Sequence, residues 1–323
     1  SILELATGYR YGATASLTAP EARTGRSALR FSVAYVTGTH NLKVGVSNEG
    51  GFNDEGRDNN HRDGLSYDFL NGRPARIQYR ALPFFQQERQ NLELGVYASD
   101  AWTLTNKLTL TLGLRFDWVR MGYPEADLPA GPFVPARHVD ALAGVPDWKD
   151  VNPRYGFAYD LFGNGRTAIR FSGGRYNQLS RSDMTRRFHP FTSSVSTANR
   201  TWNDLFFPEG DPRRGNYTPD CDLANFTAND ECGVMSSQFF GQFIPTATLH
   251  DDNIILDNRD YLWDYNLEFQ HEVTRGLSVS FGYNYNFDGA FQVTDNLLVG
   301  PENFDEFCVT LPADPRQSAG STD

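Results

Sequence analysis

Between residues 107 and 118 the sequence alternates strictly: Leu108, Leu110, Leu112, Leu114, Phe116 and Trp118 interleave with Lys107, Thr109, Thr111, Gly113, Arg115 and Asp117. Successive side chains of a β-strand point to opposite faces, so this run puts apolar groups on one face and polar or small groups on the other. Half-buried strands of soluble sheets keep such a pattern for about 4–8 residues, whereas a tilted strand crossing a bilayer needs roughly 9–11. The run satisfies the second requirement. Together with the segment that starts at Asn91, it reads as a long hairpin turning at Leu104–Asn106.

The pattern recurs along the chain. Leu29, Phe31, Val33 and Tyr35 mark a strand over 28–36, and Leu42, Val44 and Val46 the next. Tyr155, Phe157 and Tyr159 mark another, followed by Thr167, Ile169 and Phe171. Trp263 to Val273 and Leu277 to Phe287 form a final pair around Thr274-Arg275-Gly276. Asn71-Gly72, between 65–70 and 73–82, is a strong hairpin signal. Short turns fall near 37–40, 71–73, 104–106, 163–166 and 274–276, and longer connections near 12–26, 49–64, 83–90, 121–151 and 177–260. Short and long connections that alternate predict an up-and-down antiparallel barrel of the outer-membrane type, with roughly eleven strands here. From 177 to 260 the periodicity disappears. A structureless loop of that length is suspect in a compact soluble domain but has a place on the long-loop side of a barrel.

The polar face carries Thr, Ser, Asn, Gly, Asp and Arg, as a hydrated lumen would. Arg115, Asp117, Arg170, Asp264, Glu268 and Glu272 are expected to face that lumen. They are either a solvated wall with mutually paired charges or a polar path for a ligand. Trp118, Tyr176, Trp263, Tyr285 and Phe287 lie near strand ends, where aromatic girdles sit. A soluble β-sandwich or β-helix with one wet face is the alternative architecture. No stretch approaches 18 consecutive apolar residues, which excludes a transmembrane helix and leaves a barrel untouched. The formal net charge of −11 argues against a nucleic-acid groove and against a polybasic membrane-surface module.

The stretch LGVYASDAWTLTNKLTLTLGLRFDW resembles a strand pair of TonB-dependent outer-membrane receptors, in which Tyr-x-x-Asp-x-Trp precedes a strand ending Gly-Leu-Arg. The matching residues are Tyr97, Asp100, Trp102, Gly113, Leu114 and Arg115. YVTGTHNLKVGV, NPRYGFAYDLFGNGRTAIRFSGGRY, LWDYNLEFQHEVTRGLSVSFGYNYN and DNLLVGPENFDEFCVTLPADPR are similar to the Oar-like branch of that family. The resemblance implies an all-β transmembrane fold, with residues 1–323 supplying about half of a 22-stranded barrel. It implies partnership with outer-membrane lipid, a plug domain and the TonB complex, and energised uptake of a small-molecule or peptide ligand. Plug, TonB-contacting segment, signal peptide and final strands are not recognisable in the sequence, which reads as part of a longer protein.

No GxSxG, HExxH or GxxxxGK[ST] motif is present, so no catalytic residue and no enzymatic activity are expected. The six histidines are scattered, and His271 sits in the apolar register of its strand. Arg181, Arg186, Arg187, Arg200, Trp202, Phe206, Phe207, Arg213 and Arg214 mix guanidinium and aromatic groups in the long loop, a surface suited to anionic or aromatic ligands. Cys221 and Cys232 flank a polar segment and suit a disulfide in an oxidising compartment, while Cys308 is left over. No cofactor is expected. Two acidic groups, Asp251/Asp252/Asp257 and Asp220/Asp222/Asp230/Glu231, offer calcium-type ligands without EF-hand spacing. A surface structural or adhesive barrel and a secreted carbohydrate-active β-protein are the alternative functions.

Overall fold

The computed structural model describes residues 1–13, 22–57, 64–177, 183–244, 251, 256, 258–291 and 293–306. Arg181, Cys308, Asp252, Asp257, His61 and His250 lie outside the described residues. In chain order the strands are β1 (Ile2–Glu4), β2 (Arg10–Tyr11), β3 (Arg23–Thr37), β4 (His40–Arg57), β5 (Leu65–Leu70), β6 (Arg73–Arg80), β7 (Phe84–Thr105) and β8 (Leu108–Tyr123). They continue with β9 (Ala126–Leu128), β10 (Arg137–Val139), β11 (Leu142–Asp160) and β12 (Thr167–Asn177). Helices α1 (Asp183–Phe188) and α2 (Pro190–Ser193) follow, then β13 (Thr197–Thr201), β14 (Tyr261–Thr274) and β15 (Leu277–Gly289).

Eight of these strands form one antiparallel sheet in the order β15-β14-β12-β11-β8-β7-β4-β3. Each strand pairs with its neighbours in the up-and-down sense expected. The register carries the alternation intact across the sheet. On one face His40, Trp102, Leu110, Phe157, Phe171, Leu267 and Tyr283 stand side by side as successive cross-strand partners. On the other face Ser32, Gly45, Tyr97, Arg115 and Asn152 do the same. Among the described residues nothing packs over the apolar face: Phe31 is 63 % exposed and Phe281 69 %. Apolar groups in such an array are stable only against another apolar medium. The sheet is not closed. Its edges are β3 and β15, both exposed along nearly their whole length.

The Asn71-Gly72 hairpin is real, with φ of 52° and 75° at its two central residues. It does not belong to this wall, however. β5 and β6 sit in a second sheet, ordered β13-β6-β5-β1-β2, whose β1–β5 pairing is parallel. The expected count of roughly eleven wall strands therefore becomes eight, and Asn71-Gly72 leaves the set of wall turns. The remaining short turns, at 37–40, 105–108, 160–167 and 274–277, all join strands of the wall at one end. The long connections, 57–84, 123–142 and 177–261, all lie at the other end.

The described residues of 177–260 also depart from expectation, because they are folded. With β5 and β6 they build a lobe around Ile77, Tyr79, Ala198, Trp202, Met235 and Phe240. The segment has no long periodicity because short turns, two short helices and one short strand make up its described part. The chain divides at residue 290, and the second unit, from Phe291, contains a single 3₁₀ turn at Pro301–Asn303 among its described residues.

Candidate functional site

The polar face carries its charges in local groups. Arg115 Nη2 lies 2.7 Å from Asp117 Oδ1 and donates to Ser47 Oγ at 3.2 Å, and Asn152 Nδ2 donates to Asp117 at 2.9 Å. Arg170 lies 3.6 Å from Glu268 on the neighbouring strand, and Asp264 stands opposite Asn286. Glycines leave the space these groups occupy. A Cβ on Gly95 would come within 1.9 Å of Arg115 Nη2, and one on Gly45 within 2.5 Å of the Tyr97 ring. The Tyr97–Arg115 pair of the receptor-like motif meets here, with the guanidinium 6.0 Å from the ring centre. Asp100 and Trp102 instead face outward at the short-turn end, where Asp100 Oδ2 is 2.7 Å from His40 Nδ1 and Trp102 stacks on His40. Tyr176, expected in the outer aromatic girdle, turns to the polar side and carries the Arg154 guanidinium 4.6 Å from its ring centre. His271 shares a 2.8 Å hydrogen bond with Thr167 Oγ1.

Towards the long-loop end the polar face gives way to an apolar patch of Val119, Met121 and Trp148. Val119 stands two residues beyond Asp117 and pairs with Trp148, so the patch is on the same face as Arg115 and Asp117. Phe188 of α1 packs on it. Arg186 of α1 pairs with Glu88 at 2.8 Å and Glu55 at 3.0 Å, and Thr185 donates to the Val145 carbonyl at 2.8 Å. Arg259 bridges Asp150, 3.3 Å away, and the Trp148 ring. These contacts hold the described part of the long connection against the polar face of the sheet. In α2, His189 is buried between Tyr123 and Phe191, and desolvation pushes its pKa down to about 4.

The arginines expected to form one ligand surface are dispersed. Arg186 and Arg187 belong to α1. Arg200 and Trp202, expected on the ligand surface, are 1 % and 3 % exposed and pack in the core of the lobe. Arg200 donates to the carbonyls of Gly233, Asp222, Asn225, Thr227 and Cys232. Four of these carbonyls belong to the loop that the Cys221–Cys232 disulfide closes, with Cα atoms 5.9 Å apart, and Gly233 follows it. Trp202 Nε1 donates to Glu231 at 2.9 Å, and burial raises the pKa of that carboxylate. Arg213 pairs with Asp211 at 2.7 Å, holds its carboxyl down at about 2, and lies over the Phe207 ring. Arg214 donates to the carbonyls of Leu205 and Phe207. Phe207 is buried and Phe206 exposed.

Of the two acidic groups noted in the sequence, Asp252 and Asp257 of the first lie outside the described residues, and the second does not gather as a cation site. Asp220 accepts from Asn216, Asp222 caps the Ala224 N–H, and Glu231 takes Trp202 and the Asp220 N–H. The donor atoms that do converge, all within 4.8 Å of one another, belong to Glu125, Asp127 and His138. They lie on the β9–β10 ribbon inside the 123–142 connection. Sequence reading missed them because eleven positions separate Asp127 from His138, and only the strand register brings them opposite. Hydrogen bonds to Asp127 and Asp140 raise the pKa of His138.

The sequence matches the outer membrane beta barrel domain family over residues 5–289. No curated protein matches it. Similar solved structures include the toluene transporter TbuX of Ralstonia pickettii, at 9 % identity and a TM-score of 0.29, with 83 % of this chain and 57 % of that one covered. The siderophore receptor PiuA of Acinetobacter baumannii gives 13 % identity and 0.33, covering 83 % of this chain and 39 % of that one. The ferric citrate transporter FecA in its unliganded form gives 9 % and 0.32, covering 82 % and 35 %. The chain spans about a third to just over half of the length of these proteins.

Proposed function

The chain belongs to the outer membrane beta barrel domain family, and from that premise we propose that it forms part of the wall and the ligand-capturing loops of a TonB-dependent, Oar-like transporter. The outer membrane is where it resides. The observation that carries the proposal is the seating of α1 on the lumen-facing side of the wall. Phe188 on the Val119–Met121–Trp148 patch and Arg186 between Glu55 and Glu88 fold the long loop over the polar path. A barrel serving only as an adhesive scaffold has no need to direct its loops inward. The Tyr97, Asp100, Trp102 and Gly113-Leu114-Arg115 elements support the TonB-dependent assignment by resemblance. In outer-membrane barrels the long loops are extracellular and the short turns periplasmic. A ligand captured at the loops would then pass the Arg115–Asp117 and Arg170–Glu268 groups once a plug has moved. The role is binding and passage, without a chemical step.

Site-directed cross-linking in cells that make the full-length protein tests this reading. Cross-links to TonB that increase when the inner membrane is energised are expected. A full-length protein with no TonB cross-link under energised or de-energised conditions would instead be a surface structural barrel.

A further inference from the structure

We propose that the β9–β10 ribbon is a binding site for a first-row divalent transition metal, with His138, Glu125 and Asp127 as ligands. In the ribbon His138 stands directly opposite Asp127, while Val139 and Arg137 stand opposite Ala126 and Leu128. Alternation then puts Glu125 and Asp127 on one side, and His138 and Asp140 on the other, of a single solvent-facing surface. His138 Nδ1 is 2.8 Å from Asp127 Oδ1, and Nε2 is 3.1 Å from Asp140 Oδ1 and 3.9 Å from Glu125 Oε1.

The opposite surface of the ribbon is held. Leu128 and Val139 are buried with Tyr123 and Phe191, and Phe84, Phe85 and Phe243 pack around them. Arg137 turns to that buried side and donates to the Pro83 carbonyl. The donor atoms are therefore presented by a packed platform rather than by a free loop tip, which lowers the ordering cost of binding.

The donor set selects the metal class. An imidazole nitrogen with carboxylates suits zinc, nickel, copper or iron(II), whereas calcium and magnesium prefer oxygen alone. Two carboxylates in the primary set balance a divalent charge. Asp140 can take the ring N–H that the metal does not use, fixing the imidazole as carboxylates do behind many metal-bound histidines. This inference does not depend on the transport reading, because a structural barrel would present the same ribbon.

The test is calorimetric titration of zinc into the chelator-stripped full-length protein in detergent, repeated with His138→Ala and Asp127→Asn. Both substitutions are at solvent-exposed positions, and retention of the folded state is verified by heat-dependent electrophoretic mobility. One equivalent of zinc is expected, with affinity reduced about tenfold or more in each variant. Calcium in excess should leave zinc binding unchanged. The absence of a saturable zinc isotherm, zinc binding that both variants retain in full, or displacement of zinc by calcium would each overturn the proposal. In those cases the cluster is an exposed ion-pair group only.

Discussion

Arg200 directs its guanidinium N–H groups at five backbone carbonyls, four inside the 221–232 disulfide loop and the fifth, that of Gly233, just beyond it. Deleting the side chain leaves buried acceptors without donors, at about 1–3 kcal/mol for such a site. Arg200→Met is expected to destabilise the lobe by about 3 kcal/mol, and Arg200→Lys to recover little, because an ammonium cannot reproduce the planar fork. Limited proteolysis of the 203–244 region measures this, and unchanged protection in Arg200→Met would return the residue to the list of ligand contacts. From sequence alone, a buried arginine and a surface arginine look identical, because burial is decided by distant strands such as β6. His189 poses the same problem. Its pKa of about 4 in the folded lobe lies below the unfolded value of 6.5. The unfolded chain therefore binds the proton first, and stability present above pH 6.5 is lost progressively as pH falls towards 4, by roughly 3 kcal/mol in all. Hydrogen-exchange protection in α1 and α2 should fall across that window, and His189→Gln should remove the part of that fall that His189 contributes.

At the level of elements, the alternation has a measurable consequence. Leu112 sits at the middle of the apolar run of β8 and is 50 % exposed on the outer face, whereas Thr111 faces the lumen. Leu112→Arg is expected to cost about 2–4 kcal/mol in a bilayer and Thr111→Arg close to nothing. Refolding yields of the full-length protein into lipid vesicles give the comparison, and equal yields would contradict a lipid-facing outer surface. The strands were legible wherever lipid lies on one side and water on the other. They were not legible beyond the membrane. β4 continues to Arg57, and β7 begins at Phe84, through residues polar on both faces, with register shifts at Glu49/Gly51 and Gln90/Leu92. With water on both sides no period-two contrast is demanded, and each shift moves the following side chains to the other face. That is why strands read as 28–36 and 42–46 extend to Arg23–Thr37 and His40–Arg57. The Asn71-Gly72 hairpin was legible as a hairpin but not as part of a loop lobe, because turn chemistry is local and sheet membership is not.

For the whole molecule the question is whether eight strands close upon themselves. Eight-stranded barrels exist, and their interiors are just wide enough to be filled by side chains. The polar face here carries larger contents. Tyr97, Arg115, Arg154, Tyr176 and the Arg170–Glu268 pair all project from it, and α1 with the Val119–Met121–Trp148 patch takes up further room at the mouth. In the sheet β3 and β15 remain unpaired with each other. Open edges in hydrocarbon leave a column of backbone N–H and C=O groups unsatisfied, which lipid cannot repair. The wall is therefore expected to need further strands against β3 and β15 before it is stable in a membrane. The 323-residue chain refolded alone into lipid vesicles should give neither the heat-dependent mobility shift of a closed barrel nor discrete conductance steps in a planar bilayer. A mobility shift with protease protection of the Val33 and Phe281 regions would mean that the eight strands do close. The reading of this sheet as one arc of a larger wall would then fall.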